Sequence, residues 1–528
     1  MIKGYWIPIL HSHLPFVKHP QYENFLEEFW LFEAISECYI PLLQRLQKLQ
    51  NEGISFSLTV SVTPPLSEML DDVHLMEKYE RYLDRLIELG EKEVVRTLHS
   101  EYEQIARFYF DFFTQTKEFF CGFLDKKVLN GYRYFYDLGN LEIITCGATH
   151  GFLPLLSINP KAVDVQIEVA VESHKKHFHK QPRGIWLPEC AYYEGLDVVL
   201  QKNNIEFFIM DAHGLVYSEP TPQYGVYSPI ISPNGVAAFG RDHQSSKQVW
   251  SSKEGYPGDV CYRDFYRDIG YDLDFEYIKE YINPEGHRVF TGYKYHKITG
   301  ETDHKEIYNP YVGAHKTKEH AQNFHFNREK QMEHIGGFMD RLPCVVSPYD
   351  AELFGHWWFE GVEFLYNMFK EIDKHKVIKA ITPAHYLDYN PHNPVAIPHP
   401  SSWGDRGYYD VWLNPSNDWI YRHLHQMAKR MCEFADKYKN NANENEEKIL
   451  SQMARELLLA QSSDWAFLMT TATATEYSTE RTKEHIHNFW LLAKMVEGNF
   501  FDEVEYKEIG EKNSIFDFLN FRSYCKTK

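Results

Sequence analysis

The chain has 528 residues and a formal net charge of −20, from 55 basic and 75 acidic residues. That field repels polyphosphates and argues against a nucleic-acid partner; no run approaches 18 apolar residues, so no membrane span is expected. Hydrophobic residues make up 43% and aromatic residues 16%, enough rings to fill a large core or to line a cleft that stacks on sugar faces.

Eight cysteines, at 38, 121, 146, 190, 261, 344, 432 and 525, form no C-x-x-C pair. The N-terminus has no apolar leader with a cleavage site. Together these predict buried free thiols and a cytoplasmic protein.

In chain order, residues 4–10 (GYWIPIL) read as a buried strand. A long amphipathic helix follows over 24–51, interrupted by Pro41, and 54–62 alternates with strand period. Residues 66–125 are charged and helical; 141–146 is strand-like; 163–179 is a helix; 184–187 is a short strand before Pro188. Strands over 205–210, 236–239, 343–346 and 377–381 complete the pattern. Strands alternating with helices predict an α/β fold with parallel pairing. More than six such units suggest an incomplete TIM-like barrel, with an open doubly wound sheet as the alternative. Residues 212–335, rich in Gly, Pro, Tyr and Asp, read as an inserted subdomain over the barrel mouth. The expected catalytic domain is 1–397, and 398–528 is expected to be a C-terminal helical domain with helices over 419–439, 447–461 and 479–497.

In a β/α barrel the reactive groups project from the C-terminal ends of the strands. Four such ends carry unusual polar groups: His11 and His13, His150, Glu189, and Asp350. Each has a bland reading alone. Glu189 could be a buried acid satisfied by Arg183, and Asp350 a helix N-cap. Glu352 reads as a supporting carboxylate, and Glu360 as an ion-pair partner. Taken together, two carboxylates and a histidine cluster are the apparatus of glycosidic cleavage, which needs one carboxylate and one carboxylic acid across a sugar. The histidines, His356 included, would donate to sugar hydroxyls. The H-x-H pair is also a metal pattern, but no further His and Asp at ligand spacing complete a shell. No metal and no cofactor are expected.

HSHLPF at 11–16, CGATHGFLP at 146–154, GIWLPECAYY at 184–193 and SPYDAELFGHWWFEG at 347–361 resemble the ordered motifs of glycoside hydrolase family 57. The later SSWGDRGYYDVWLNPSNDWIYRHL resembles the C-terminal part of the family's 1,4-α-glucan branching enzymes. The resemblance spans nearly the whole chain. It implies a (β/α)7 barrel and a retaining, metal-free mechanism with Glu189 as nucleophile and Asp350 as acid/base. It further implies substrate contacts from His11, His13, His150, Trp30, Arg267, Gly286, Trp403, Trp412 and Asp464, with Arg263 a rival to Arg267. A mobile cleft loop is expected within 230–258. The implied activity is α-1,4-glucan branching by a monomer acting on an α-glucan polymer. Alternatives on the same residues are α-amylase or 4-α-glucanotransferase activity. More distant are a non-catalytic glucan-binding protein and a metal-dependent deacetylase.

Overall fold

The computed structural model describes residues 2–251, 253–282, 287–300, 302 and 304–526. Its strands are β1 (Gly4–Ser12), β2 (Leu58–Val62), β3 (Leu141–Ile144), β4 (Gly184–Trp186), β5 (Phe207–Met210), β6 (Ile230–Ile231), β7 (Ala237–Gly240), β8 (Cys344–Asp350) and β9 (Ile378–Ala380). One sheet has the order β3-β2-β1-β8, with β9 pairing the start of β1; the other is β4-β5-β7-β6. All pairings are parallel except β6 with β7.

The two sheets meet at both edges. Thr145 bridges Ile185 at one join, and at the other the Asp242 N–H donates to the Val346 carbonyl at 2.8 Å. The first join is one β-bridge of two hydrogen bonds and the second is made by this one bond, rather than either being a ladder. The strands therefore curve into an incomplete barrel, and the open doubly wound alternative falls away.

Strand period explains how the chemistry reaches the interior. Side chains alternate faces along a strand. Ile7 and Ile9 of β1, Phe207 and Ile209 of β5, Ala237 and Phe239 of β7, and Cys344 and Val346 of β8 pack in one buried cluster. The same alternation, continued toward the C-terminal ends, carries His11 and His13 from β1 and Asp350 from β8 into the mouth. His11 and Asp350 are register partners on adjacent strands.

The helix expected over 24–51 runs as Glu28–Ala34, a π-helical turn Ile35–Tyr39, and Ile40–Asn51. A proline lacks the N–H that an α-turn would need there, and the wider turn accommodates it. The region 212–335 is not one excursion. It contains β6, the barrel strand β7, and the helix Pro310–Gly336, which packs on the helix Gly361–His375 and on β1. Its irregular part docks on the helices Val73–Arg96 and Glu103–Cys121. There the Tyr293 hydroxyl donates to the Leu86 carbonyl (2.7 Å) and the Tyr109 hydroxyl to the Lys294 carbonyl (2.8 Å). The covering layer is thus assembled from two distant chain segments.

The expected loop 230–258 is likewise partly built in: β6, β7 and the helix His243–Trp250 occupy about half of it. That helix is pinned to β8 by Ser347 Oγ to Ser245 Oγ (2.9 Å) and Tyr349 Oη to the Ser245 carbonyl (3.0 Å).

The C-terminal part is helical, with Trp419–Tyr438, Glu444–Ala460 and Thr475–Glu497 near their expected places. Ser463–Thr471 and Glu503–Lys512 were not foreseen. All eight cysteines are free, and six are buried. No helix among the described residues is long and apolar enough to cross a membrane.

Candidate active site

Glu189 sits directly after β4 in a backbone conformation that few side chains adopt. Its φ of 59°, with 57° at His150 and 50° at Cys190, lies in the left-handed region. Such strain in non-glycine residues persists where surrounding structure over-determines it, and it concentrates at functional sites. The Trp403 N–H donates to the Glu189 carbonyl at 2.9 Å and holds the turn. Arg183, the expected structural partner, pairs instead with Glu206 and Asp388.

Two donors face the Glu189 carboxylate. The Trp403 indole Nε1–H donates to Oε2 at 2.7 Å, and the Ser463 hydroxyl to Oε1 at 3.3 Å. His150 Nδ1 lies 3.6 Å from the same Oε1 and 2.8 Å from the Ser463 hydroxyl. Asp350 differs. Among the described residues no side chain hydrogen-bonds its carboxyl, and it makes no side-chain cap on the following turn, so the N-cap reading fails. The positive charges that act on it are those of Arg241 and His13.

The histidines form a stacked group. His13 and His150 have ring centroids 3.9 Å apart, and His11 lies flat on Trp186 at 4.5 Å. His11 Nε2 and His150 Nε2 are 3.1 Å apart, so one donates and the other accepts. His13 Nε2 meets both oxygens of Asp464 at 3.0 Å. Glu352 supports the first motif: its Oε1 accepts from the His13 backbone N–H (3.2 Å) and from the Tyr39 hydroxyl (2.5 Å).

Burial sets the electrostatics. It pushes Glu189 up to about 8 against the pull of the Trp403 hydrogen bond. It pushes Asp350 up to about 6, opposed by Arg241 and His13, and Glu352 to about 7, opposed by Tyr39. His11 and His150 are held well below the usual histidine range by burial and by neighbouring rings, so they are neutral. Burial works against charge on His13 too, but Asp464 prevails and raises it. Asp464, despite its own burial, falls to about 2 because His13 faces it. The site therefore holds one ion pair and a set of carboxyls that share protons near neutrality.

Two groups, His11 with Cys146 and His150, and His13 with His150 and Asp464, bring ligand-type atoms within 4.8 Å of one another. In both, the ring nitrogens are already engaged in hydrogen bonds within the site, and His13 with Asp464 is satisfied as an ion pair.

Other expected contacts fare differently. Trp30 is half-buried, its ring edge-on to Tyr477 of the C-terminal domain at 5.9 Å. Trp403 does not only offer a face: its indole N–H is committed to Glu189. Trp412, expected as a stacking platform, is 1% exposed and stacks on Phe152 at 4.8 Å, so it is a packing residue. Arg267 is half-exposed and pairs with Asp272, whereas Arg263 is buried against Glu37. Gly286 lies outside the described residues. His356 is tied to Glu37 at 2.9 Å rather than joining the histidine stack. Glu360 makes no ion pair among the described residues and accepts from the Arg263 backbone N–H at 3.0 Å. Sequence reasoning passed over Ser463, Tyr39 and Arg241. Only Arg241, directly after β7, carried the strand-end signal that found the others.

The family model of glycosyl hydrolase family 57 matches residues 7–313, and that of the 1,4-alpha-glucan branching enzyme C-terminal domain matches 423–524. The crystal structure of the alpha-amylase AmyC from Thermotoga maritima is 46% identical over 99% of both chains, with a TM-score of 0.94. A GH57-type branching enzyme from Pyrococcus horikoshii is 33% identical over 100% of this chain and 98% of its own, with a TM-score of 0.90. The 1,4-alpha-glucan branching enzyme TK1436 from Thermococcus kodakarensis is 31% identical over 97% of this chain and 75% of its own length. With its motifs at the strand ends and both models matched in order, the chain belongs to glycosyl hydrolase family 57.

Proposed function

We propose that the chain is a 1,4-α-glucan branching enzyme working by double displacement. Glu189 attacks the anomeric carbon of an α-1,4-linked glucose, and Asp350 gives its proton to the departing 4-oxygen. The donor chain is then an ester of Glu189. Asp350, now a carboxylate, takes the proton of an acceptor 6-hydroxyl as that oxygen displaces Glu189, closing an α-1,6 bond with net retention.

The observation that carries this reading is the asymmetry of the two buried carboxyls. In the ligand-free site the higher pKa of Glu189, about 8 against about 6, leaves the shared proton on Glu189. Two donors nonetheless face Glu189 and none among the described residues faces Asp350, so a bound sugar that covers Asp350 moves the proton there and leaves Glu189 as the anion. His11, His13 and His150 form a stacked group beside Glu189 whose ring nitrogens are held by one another and by Ser61, Thr63, Ser463 and Asp464, so a sugar hydroxyl reaches them by sharing or exchanging these bonds. The His13–Asp464 pair ties the C-terminal domain to the cleft. This chemistry uses only these side chains, with no metal or cofactor. We infer a monomer in the cytoplasm acting in glycogen synthesis.

A second reading rests on the 46% identity to a structure named as an alpha-amylase. If water rather than a 6-hydroxyl intercepts the ester, the same residues hydrolyse. Incubation with amylose, counting α-1,6 linkages by proton NMR against new reducing ends, separates the two. Branching predicts a rising α-1,6 signal that exceeds new reducing ends; reducing ends without branch signals would establish hydrolysis.

A further inference from the structure

A cavity of about 520 Å³ opens between four helical segments, and no member of the histidine–carboxylate cluster lines it. Its first wall is one stripe of the helix Glu103–Cys121: Gln104, Arg107, Phe108, Asp111, Phe112 and Gln115. The spacing of three and four residues puts all six on one face. That face is neither an apolar core stripe nor an ordinary charged surface, because half-buried rings alternate with exposed hydrogen-bonding groups. The facing wall adds Gln44, Tyr311 and Phe359. The Phe112 and Phe359 rings meet edge to face at 5.5 Å, which fixes them as a rigid floor. Tyr311 is 68% exposed at the rim.

The charges along this cavity are largely spent on one another. Arg45 pairs with Glu363, Arg107 with Glu103, and Glu37 with Arg263. The polar groups along the opening are the amides of Gln104 and Gln115, that of Gln44, whose Nε2 also donates to the Gln115 carbonyl at 3.5 Å, and the carboxylates of Asp111 and Glu360. Among the described residues an anion finds no uncommitted cation here. Planar amides and carboxylates beside ring faces suit a neutral ligand with vicinal hydroxyls and an apolar C–H face. The volume falls within the range of small-ligand pockets.

The geometry points to a second carbohydrate-binding site here, one that holds a segment of the same α-glucan outside the catalytic cleft. The inference rests on the proposed function for its choice of ligand. The site is joined to the cleft through protein: Glu37, on its wall, binds Arg263 and also His356, which lies on the segment that follows Asp350. Its benefit is retention of a long chain near the cleft between transfers, because two linked contacts raise effective concentration.

The test is calorimetric titration of the full-length Glu189→Gln protein with maltoheptaose, which avoids turnover. The parent is expected to bind two oligosaccharides per chain. Adding Gln104→Ala with Asp111→Ala, both exposed positions, should weaken one of the two sites more than tenfold and leave the other. Ala314→Arg, which fills the opening, should do the same by a different route, with melting curves confirming the fold of each. One site in the parent, or two sites surviving both variants, overturns the proposal while leaving the catalytic reading intact. No binding at all in the parent would instead overturn the glucan reading itself.

Discussion

The indole N–H of Trp403 donates to Oε2 of Glu189 at 2.7 Å, while the Trp403 backbone N–H holds the Glu189 carbonyl at 2.9 Å. A residue 214 positions later in the chain thus fixes both the turn and the carboxylate of the proposed nucleophile. Trp403→Phe keeps a ring but removes one charge-assisted hydrogen bond. Such a bond contributes about 1.5–3 kcal/mol, so kcat should fall roughly ten- to a hundredfold, with little change in melting temperature. If Trp403 acts only as a stacking platform, Phe should retain near-full activity, and kinetics on amylose decide between them.

Proton sharing between Glu189 and Asp350 predicts a bell-shaped pH profile for kcat/KM. The active form carries one proton on the pair. Activity should fall below about 6, where the second proton binds, and above about 8, where the last leaves. These limits belong to the pair rather than to either residue. Trp403→Phe removes stabilisation of the carboxylate and should move the alkaline limb upward. An unmoved limb would separate that hydrogen bond from the titration.

The same burial makes a stability prediction. The folded-state pKa of Glu189 is raised to about 8 from an ordinary 4.5. Its contribution is therefore fully present below pH 4.5 and lost as pH rises through 8. Glu189→Gln removes the buried charge, so it should melt several degrees above the wild type at pH 9 and coincide with it near pH 4.5. Calorimetry at the two pH values checks this; a Gln variant that is less stable at both contradicts it.

Much of this was legible because the barrel repeats one rule. Short apolar runs marked β1, β4 and β8, and polar residues at their C-terminal ends, His11, Glu189 and Asp350, converge on the site. Trp412 misled because a tryptophan in a turn-rich segment looks exposed, and only packing reveals Phe152 beneath it. Ser463–Thr471 was missed since its weak periodicity hides a helix docked end-on, with the Ser463 N–H bonded to the His150 carbonyl. Of the covering layer, the helices and the segment over the mouth were each expected, but not that they pack on one another. The layer joins the helices at 73–121 to loops near 290, and no local pattern records a pairing that distant.

His13 and Asp464 join barrel and C-terminal domain through a mostly buried ion pair. Breaking such a pair strands a charge and costs about 3–5 kcal/mol. Asp464→Asn should lower the His13 pKa, measurable by imidazole proton NMR, and reduce kcat/KM at least tenfold. An unchanged His13 titration would mean that the pair does not hold in solution.

Dialysis against EDTA should leave activity unchanged, because the proposed chemistry is complete in side chains. Loss of activity restored by added zinc would make His13, His150 and Asp464, or His11, Cys146 and His150, ligands instead.

The central claim, that Glu189 carries the glucan covalently while Asp350 manages the proton, is tested most directly by trapping. The Asp350→Ala variant should accept α-maltosyl fluoride, whose fluoride leaves without a proton, yet lack the base that activates the acceptor for the second step. The account predicts that mass spectrometry of the digested protein finds one maltosyl unit on the peptide containing Glu189, accumulating within the first turnover. A maltosyl group on any other carboxylate, or rapid release of maltose with no labelled peptide, would contradict it.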